Sequence, residues 1–537
     1  MKIFAFDTED DSRGNPLLIN FYDGVHHYTF TDTLQAWEWL VKQAPVNVWA
    51  CNTEYDLLNM FGDWTAKVLT LQYVSSGLMR ATMDEAEVIF FDTLRHWPMS
   101  VAAMGEYIGK PKLKNYLSDK VTPKLVSACQ RDTEIVFDFV KIMLSKYDDL
   151  CLKIKSTLPS MAFQFWKKYF APFKLPLLTH QTRDKFREGY YGGRVEVFRF
   201  KEIQGPIFHY DVNSLYPYVM KKFRYPDISK NEKHTKNPDF NKYGMANIDI
   251  EIPKTSIPCL PYRSEKEILF PYGRVLGSYC YPEIRKALQD GAKINKVFWA
   301  IEYSESCDPF SEYVEECYKN RLDAKDQLTG TFWKFMMNSL YGKYAAKDEL
   351  LTIKKDREYI ITSASSNSNV IWSAYVTSYA RLVLLDYLRQ AKEVYYCDTD
   401  SVFTPNQMPT SKELGALKLE GVYKRCEFFG NKVYVCDYSY KARGVPVKCR
   451  NWDTCIKHTC KDGKAKQCED LNSPAKDFIH TGRCIFRRPA RLRESRRSFA
   501  IANVWYDAER NFKAKYTKRK ILTNGKTLPL TLSRYSV

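Results

Sequence analysis

Short apolar runs that end in acidic residues organise the first third of the chain. KIFAF is a β run that stops at Asp7-Thr8-Glu9, VNVWAC is a second that leads into Asn52 and Asp56, and EVIFFDTL is a third. Thr122-Pro123 then reads as a helix start, a cap residue followed by proline in the first turn. The apolar face that follows is Leu125, Ala128, Cys129, Val136, Phe139 and Met143, and Asp132 interrupts it where the period calls for an apolar residue. Further on, Ile207-Phe208-His209-Tyr210-Asp211 is a strand ending in an acid. Lys334 to Tyr341 reads as a helix ended by Gly342. Between the β runs EVYY and VF, Asp398-Thr399-Asp400 forms the tip of a hairpin, where a packed core has no use for two acids.

Composition narrows the class. A chain of 537 residues is too long for one core and implies two or three domains. With 45% hydrophobic and 27% charged residues it reads as globular, and no run of eighteen apolar residues suggests a membrane span. The N-terminus turns acidic after seven residues, unlike a secretory signal. Fifteen cysteines without a C-x-x-C pair are expected to stay reduced in a cytoplasm. Cys449, Cys455, Cys460 and Cys468 fall close together, but their spacing matches no familiar zinc pattern. The formal charge is +18, and Arg483 to Lys520 carries 13 Lys/Arg against 3 acids, a net of +10. Such density suits a polyanion or a solvated basic tail.

The acids suggest chemistry. Asp7 and Glu9, two apart on a strand, face one point. Asp132 on a buried stripe requires a positive partner. Either a neighbouring Lys or Arg supplies it, or a metal ion does, shared with Asp7, Glu9 and Asp56. Four carboxylates around two divalent ions suit phosphodiester hydrolysis. In the second half, Asp211 and Asp400 share two Mg²⁺ ions if their strands are neighbours, with Asp398 in support. Lys334, Asn338 and Tyr341 lie at i, i+4 and i+7, so a cation, an amide and an aromatic share one helix face. They suit a phosphate clamp, a base or backbone contact, and a platform for a nascent pair.

The blocks Asp211-Val212-Asn213-Ser214-Leu215-Tyr216-Pro217, Lys334 to Gly342 and Tyr396 to Ser401 resemble, in order and residue for residue, the D-x2-S-L-Y-P, K-x3-N-S-x-Y-G and Y-x-D-T-D-S motifs of family B DNA polymerases. The D-x-E, N-x3-D and later helical Asp are similar to that family's proofreading exonuclease. The resemblance implies an α/β multidomain fold: an RNase H-like 3′→5′ exonuclease domain (1–175), then a right-hand polymerase (176–537). Within the latter it implies palm 176–225 and 368–455, an insertion 226–312, fingers 313–346, a second insertion 347–367 and thumb 456–537. The second insertion encircles the template in relatives.

The resemblance also implies roles. Tyr216 is the gate against a 2′-OH, and Val212 joins Asp211 as a metal and nucleotide contact. Arg321 and Lys325 are further triphosphate ligands. Lys432 and Tyr434 hold the primer terminus, as K-x-Y. Tyr190, Gly192 and Gly193, in Y-x-G-G, hold template. Asn52, Thr93 and Leu94, with Trp97, bind the edited strand, and Lys114 is the exonuclease lysine. Ala128 departs from the pattern, which has tyrosine four residues before the aspartate. Compact length and these motifs suit the branch primed by a terminal protein, found in phages and linear plasmids. The implied cofactor is Mg²⁺, two ions per active site, or Mn²⁺. The implied partners are template and primer DNA, dNTPs and a terminal protein, for a monomer working by strand displacement in the cytoplasm of a host cell. An RNA polymerase or reverse transcriptase is opposed by Tyr216 and the exonuclease acids. An inactive DNA-binding scaffold is opposed by intact Asp211, Asp398, Asp400 and Lys334.

Overall fold

The computed structural model describes residues 2–532 apart from 75–76, 84–85, 115–117, 266, 347–348, 355–356, 363–368, 438, 443–457, 460–464, 467–481, 490–502 and 511–515. Most of the cysteine-rich segment, including Cys449, Cys455, Cys460 and Cys468, lies outside the described residues.

The three N-terminal apolar runs become strands Lys2–Asp10, Val46–Ala50 and Val88–Asp92, mutually parallel at the centre of a sheet. Antiparallel strands Pro16–Tyr22 and His27–Phe30 extend one side. Gly77–Met83 and Thr70–Val74 extend the other. The helix Pro123–Asp149 covers this sheet, starting where its signature placed it: the Leu125 N–H donates to the Thr122 hydroxyl at 3.2 Å. Its apolar face is buried together with Asp132.

A distant segment completes the sheet. The hairpin Glu349–Lys354 and Arg357–Thr362 adds two strands beyond Thr70–Val74, pairing Leu351 with Tyr73 and Ile353 with Leu71. Leu351 and Ile353 are buried in the N-terminal core. This hairpin therefore covers the edge that Thr70–Val74 would otherwise leave open. Deleting it would unseat this core as well as any loop.

The C-terminal body rests on a seven-stranded sheet in the order Ser439–Ala442, Val433–Cys436, Leu417–Gly430, Ile203–Val212, Ser401–Thr404, Tyr396–Asp398 and Val195–Val197. Helices Leu215–Lys222, Ser311–Leu322, Gln327–Tyr344 and Val370–Gln390 pack with it. The helix Gln327–Tyr344 runs two residues past Gly342, correcting the expected stop. Burial of Tyr344 among Phe163, Trp166 and Trp372 outweighs the ~1 kcal/mol that a helical glycine costs. A separate sheet forms from Lys233–Thr235, Lys293–Tyr303, Tyr243–Ile252 and Tyr272–Cys280, and Thr531–Leu532 joins its edge.

The end of the chain returns to the body. Arg519 is buried, with Nη1 3.3 Å from Glu196, which also accepts from Arg194 Nε at 2.6 Å. Lys518 is buried too, donating to the Val195 carbonyl at 3.0 Å. Two cations of the +10 run are thus structural rather than part of a solvated tail. The preceding hairpin, Gly482–Pro489 with Asn503–Arg510, lies with its backbone beside helix Thr53–Phe61. Trp97 joins the two halves, its ring 5.8 Å from Phe332 and 6.0 Å from Phe335, and Lys146 donates to Thr329 at 2.7 Å. Among the described residues no helix is long and apolar enough to cross a membrane.

Candidate active sites

The C-terminal site forms where strand Ile203–Val212 ends. Asp211 lies opposite Ser401 on one neighbour and opposite Lys418 on the other. The Val212 N–H donates to the Asp400 carbonyl at 2.8 Å, which draws the two acidic turns together. At the hairpin tip Thr399 holds φ 62°, a strained value for a β-branched residue. Its N–H donates to the Arg194 carbonyl at 2.7 Å, which helps hold that conformation. Burial, then the nearby Asp400 and Glu420, push the Asp211 carboxyl up to about 7, against the pull of Lys418 and Lys334. Burial and Asp398 likewise raise Asp400. Asp398 is differently placed. It pairs with Lys432 at 2.8 Å and accepts from Thr399 and Tyr396 at 3.1 and 3.3 Å.

Aromatic and basic groups surround these acids. Tyr216 stacks on Tyr341, centroids 4.3 Å apart and planes at 17°. Tyr190 is an electrostatic neighbour of both rings. Lys334 is exposed, whereas Asn338 donates to the Lys334 carbonyl at 2.7 Å. Arg321 is half-buried at the end of helix Ser311–Leu322, and Lys325 is exposed in the turn that follows. Lys432 also donates its N–H to the Tyr396 hydroxyl at 2.9 Å, and Tyr434 packs 5.4 Å from Tyr396. The 190–193 loop touches the hairpin tip directly, since a Cβ on Gly193 would lie 2.8 Å from Thr399 Cγ2. Arg381 holds that loop, donating to the carbonyls of Tyr191 and Gly192 at 2.7 and 3.1 Å and pairing with buried Glu283 at 2.9 Å.

The N-terminal site groups Asp7, Glu9 and Asp132, with ligand oxygens within 4.8 Å of one another. Asp56 stands beside this triad, accepting from the Thr8 hydroxyl at 2.9 Å. Asp132 belongs to the triad and also pairs with Lys112. The lysine that meets Asp132 is Lys112, while Lys114 is exposed two residues further along. Asn52 has φ 76° and donates its N–H to Asp92 at 3.0 Å. Thr93 is fully buried, its hydroxyl donating to the Ala50 carbonyl at 3.2 Å; Leu94 is half-buried. Ala128 is only 3% exposed, and neighbouring Cys129 donates to the Asp7 carbonyl at 3.8 Å.

The family profile described as DNA polymerase type B, organellar and viral, matches residues 108–412. The chain belongs to that family. A probable DNA polymerase of Neurospora intermedia is 27% identical over 383 residues, 61% of this chain and 39% of the relative. The DNA-directed DNA polymerase of Enterobacteria phage PRD1 is 27% identical over 282 residues, 47% of this chain and 50% of the relative. The DNA polymerase of Bacillus phage M2 is 22% identical and covers 73% of each chain. This chain spans about 39% and 50% of the length of the first two. Phi29 DNA polymerase superposes with a TM-score of 0.72 at 15% identity, covering 95% of this chain and 100% of that one. Its complex with primer-template DNA and incoming nucleotide substrates gives 0.70 at 16%. The fold is shared.

For a type B polymerase chain, the donor sets fit divalent cations. Asp56 Oδ2 and Asp132 Oδ1 are buried without a hydrogen-bond partner, an arrangement that costs free energy until positive charge arrives. Burial, followed by neighbouring acids, raises Asp7 and Asp56, and it raises Glu9 to about 7. Acids raised on folding stabilise the fold fully below their unfolded values and lose that contribution as pH rises through the folded ones. In a chelator, melting temperature is therefore expected to fall between about pH 4.5 and 7 through Glu9. Millimolar Mg²⁺ or Mn²⁺ should raise it at pH 8. Asp7→Asn should raise the chelator value at pH 8 and blunt the metal response. Thermal scans of both proteins decide this, and equal metal responses would remove the cation from this site.

Sequence reasoning missed two residues. Arg381 is the first charge in the helix Val370–Gln390, after eleven uncharged residues, the same kind of interruption that marked Asp132. Lys112 lies in a stretch without periodicity, and only its contact with Asp132 distinguishes it.

Proposed function

We propose that this chain is a template-directed DNA polymerase that adds dNTPs to a 3′-hydroxyl and edits with a 3′→5′ exonuclease in its N-terminal domain. The observation that carries the reading is the pair Asp211 and Asp400, brought together at the end of two central strands beside the Tyr216–Tyr341 stack. Two divalent cations, Mg²⁺ or Mn²⁺, held by Asp211, Asp400 and Val212, would supply the Lewis acidity that activates the 3′-hydroxyl and neutralises the leaving pyrophosphate.

The chain's own residues do the rest. Lys334, with Arg321 and Lys325, binds the triphosphate, and Tyr341 with Asn338 supports the nascent base pair. Tyr216, pinned by its stack on Tyr341, forms the wall under the deoxyribose. Lys432 reaches the primer terminus by exchanging Asp398 for a phosphate, and Tyr434 shapes its path. The loop of Tyr190, Gly192 and Gly193 holds the template and, through Thr399, sets the height of the catalytic hairpin. In the editing site Asp7, Glu9, Asp56 and Asp132 bind two cations, Lys112 steadies the phosphate, and Asn52 and Leu94 guide the frayed strand.

The phage relatives and the shared fold support synthesis started from a terminal-protein hydroxyl, with strand displacement by a monomer in a host cytoplasm. Extension of a singly primed circle past one full turn tests polymerisation with displacement. Transfer of labelled dNMP to a small basic protein encoded by a neighbouring reading frame tests priming. Products that stop at the nick would exclude displacement.

Tyr216→Val should lower discrimination against ribonucleotides by about a hundredfold or more, since the aromatic wall disappears while Asp211 and Asp400 remain. Comparing kcat/KM for dNTP and rNTP checks this. An unchanged ratio would place the gate elsewhere.

A further inference from the structure

Cations approach Asp211 from more than one side. Lys334 comes from the helix Gln327–Tyr344, and Lys418 from strand Leu417–Gly430, where it stands directly opposite Asp211. Opposed residues of paired strands project from one face with Cβ atoms ~5 Å apart. Lys418 therefore shares the surface that carries Asp211. Across the sheet the order is the 396–404 hairpin with Asp398 and Asp400, then Asp211, then Lys418. Lys432 belongs to the first flank through its pair with Asp398. Lys418 occupies the opposite flank, where Arg321 is an electrostatic neighbour.

We propose that Lys418 binds the β- and γ-phosphates of the incoming dNTP, and then the leaving pyrophosphate, from the palm side. This rests on the polymerase reading and adds a residue to it. The Lys418 side chain is 57% exposed, and its Nζ lies 2.8 Å from Glu420, itself 36% exposed. An exposed pair of this kind adds little to stability, so it has no structural reason to persist when a stronger anion arrives. A triphosphate offers several charged oxygens and charge-assisted bonds. A flexible ammonium suits such a ligand, since it can follow the phosphates from substrate to product as a point charge. Glu420 holds the lysine beside Asp211 until then, and faces solvent once it is released. Asp398, which holds Lys432, lies on the other side of Asp211 from Lys418, which separates this role from primer binding.

Single-nucleotide incorporation, pyrophosphorolysis, primer–template affinity and single-strand exonuclease rates should be compared for the wild type, Lys418→Ala and Lys418→Arg. In Lys418→Ala the KM for dNTP and the half-saturating pyrophosphate concentration should each rise about tenfold, the loss of one charge-assisted contact. DNA affinity and exonuclease rate should stay at wild-type values, and Lys418→Arg should recover most of the loss. Unchanged dNTP and pyrophosphate saturation in an active alanine variant would overturn the inference. So would weakened DNA binding with normal dNTP saturation, which would make Lys418 a backbone contact. A wild-type protein that fails to extend primers would instead overturn the polymerase reading itself.

Discussion

Asp211→Asn and Asp400→Asn should each reduce nucleotide addition by about a thousandfold or more, while primer–template affinity changes little. Each substitution removes a charge and a cation ligand at the same point. Losing roughly 4 kcal/mol of transition-state stabilisation there corresponds to that factor at 1.36 kcal/mol per tenfold. Neither acid is a phosphate-contacting cation, so DNA binding is spared. Both acids are raised, Asp211 up to about 7 by burial, Asp400 and Glu420, and Asp400 by burial and Asp398. Asparagine relieves that repulsion, so the variants should fold at least as well as the parent. Asp398→Asn is the informative contrast. Asp398 is already paired with Lys432 at 2.8 Å, and its loss should act through that lysine, with a smaller fall in rate and a weaker hold on the primer end. Single-turnover incorporation with matched DNA-binding measurements checks all three. A Asp400→Asn rate near wild type would remove Asp400 from the reaction.

The second large effect belongs to the N-terminal site. Asp7→Ala with Glu9→Ala should cut 3′→5′ degradation of single-stranded DNA by about a thousandfold and leave polymerisation intact. The two sites lie on different sheets, and the contacts that join the halves, Trp97 with Phe332 and Lys146 with Thr329, involve neither acid. Lysine variants refine the assignment. Lys112→Ala should lower the exonuclease rate at least about tenfold, because its partner Asp132 loses a charge-assisted bond. Lys114→Ala, two residues along and exposed, should leave it unchanged. The opposite order of the two lysines would reverse the geometric assignment.

Much of this chemistry was legible because it is local. Asp7 and Glu9 share a side through a strand's period of two. Lys334, Asn338 and Tyr341 share a helix face through its period of 3.6. Asp132 was found because it breaks an apolar period, and the break alone demanded a positive neighbour. The start of its helix at Thr122-Pro123 was legible for the same reason, since a cap is a property of a few consecutive residues.

What remained hidden depends on residues far apart in sequence. Gly342 has the composition of a helix end, but burial of Tyr344 carries the helix past it. Counting charges placed Lys518 and Arg519 in a basic run suited to a polyanion or a solvated tail; Glu196, more than three hundred residues away, draws Arg519 inside. The hairpin 349–362 falls within the implied second insertion, yet its partner is strand Thr70–Val74. Lys112 and Lys114 are indistinguishable until the helix carrying Asp132 lies across the first strand. Sequence periodicity determined which acids, aromatics and cations share a face of one element. Only the tertiary structure decided which faces meet, because strand pairing and ion pairing across the chain follow from distance in space, which no local period encodes.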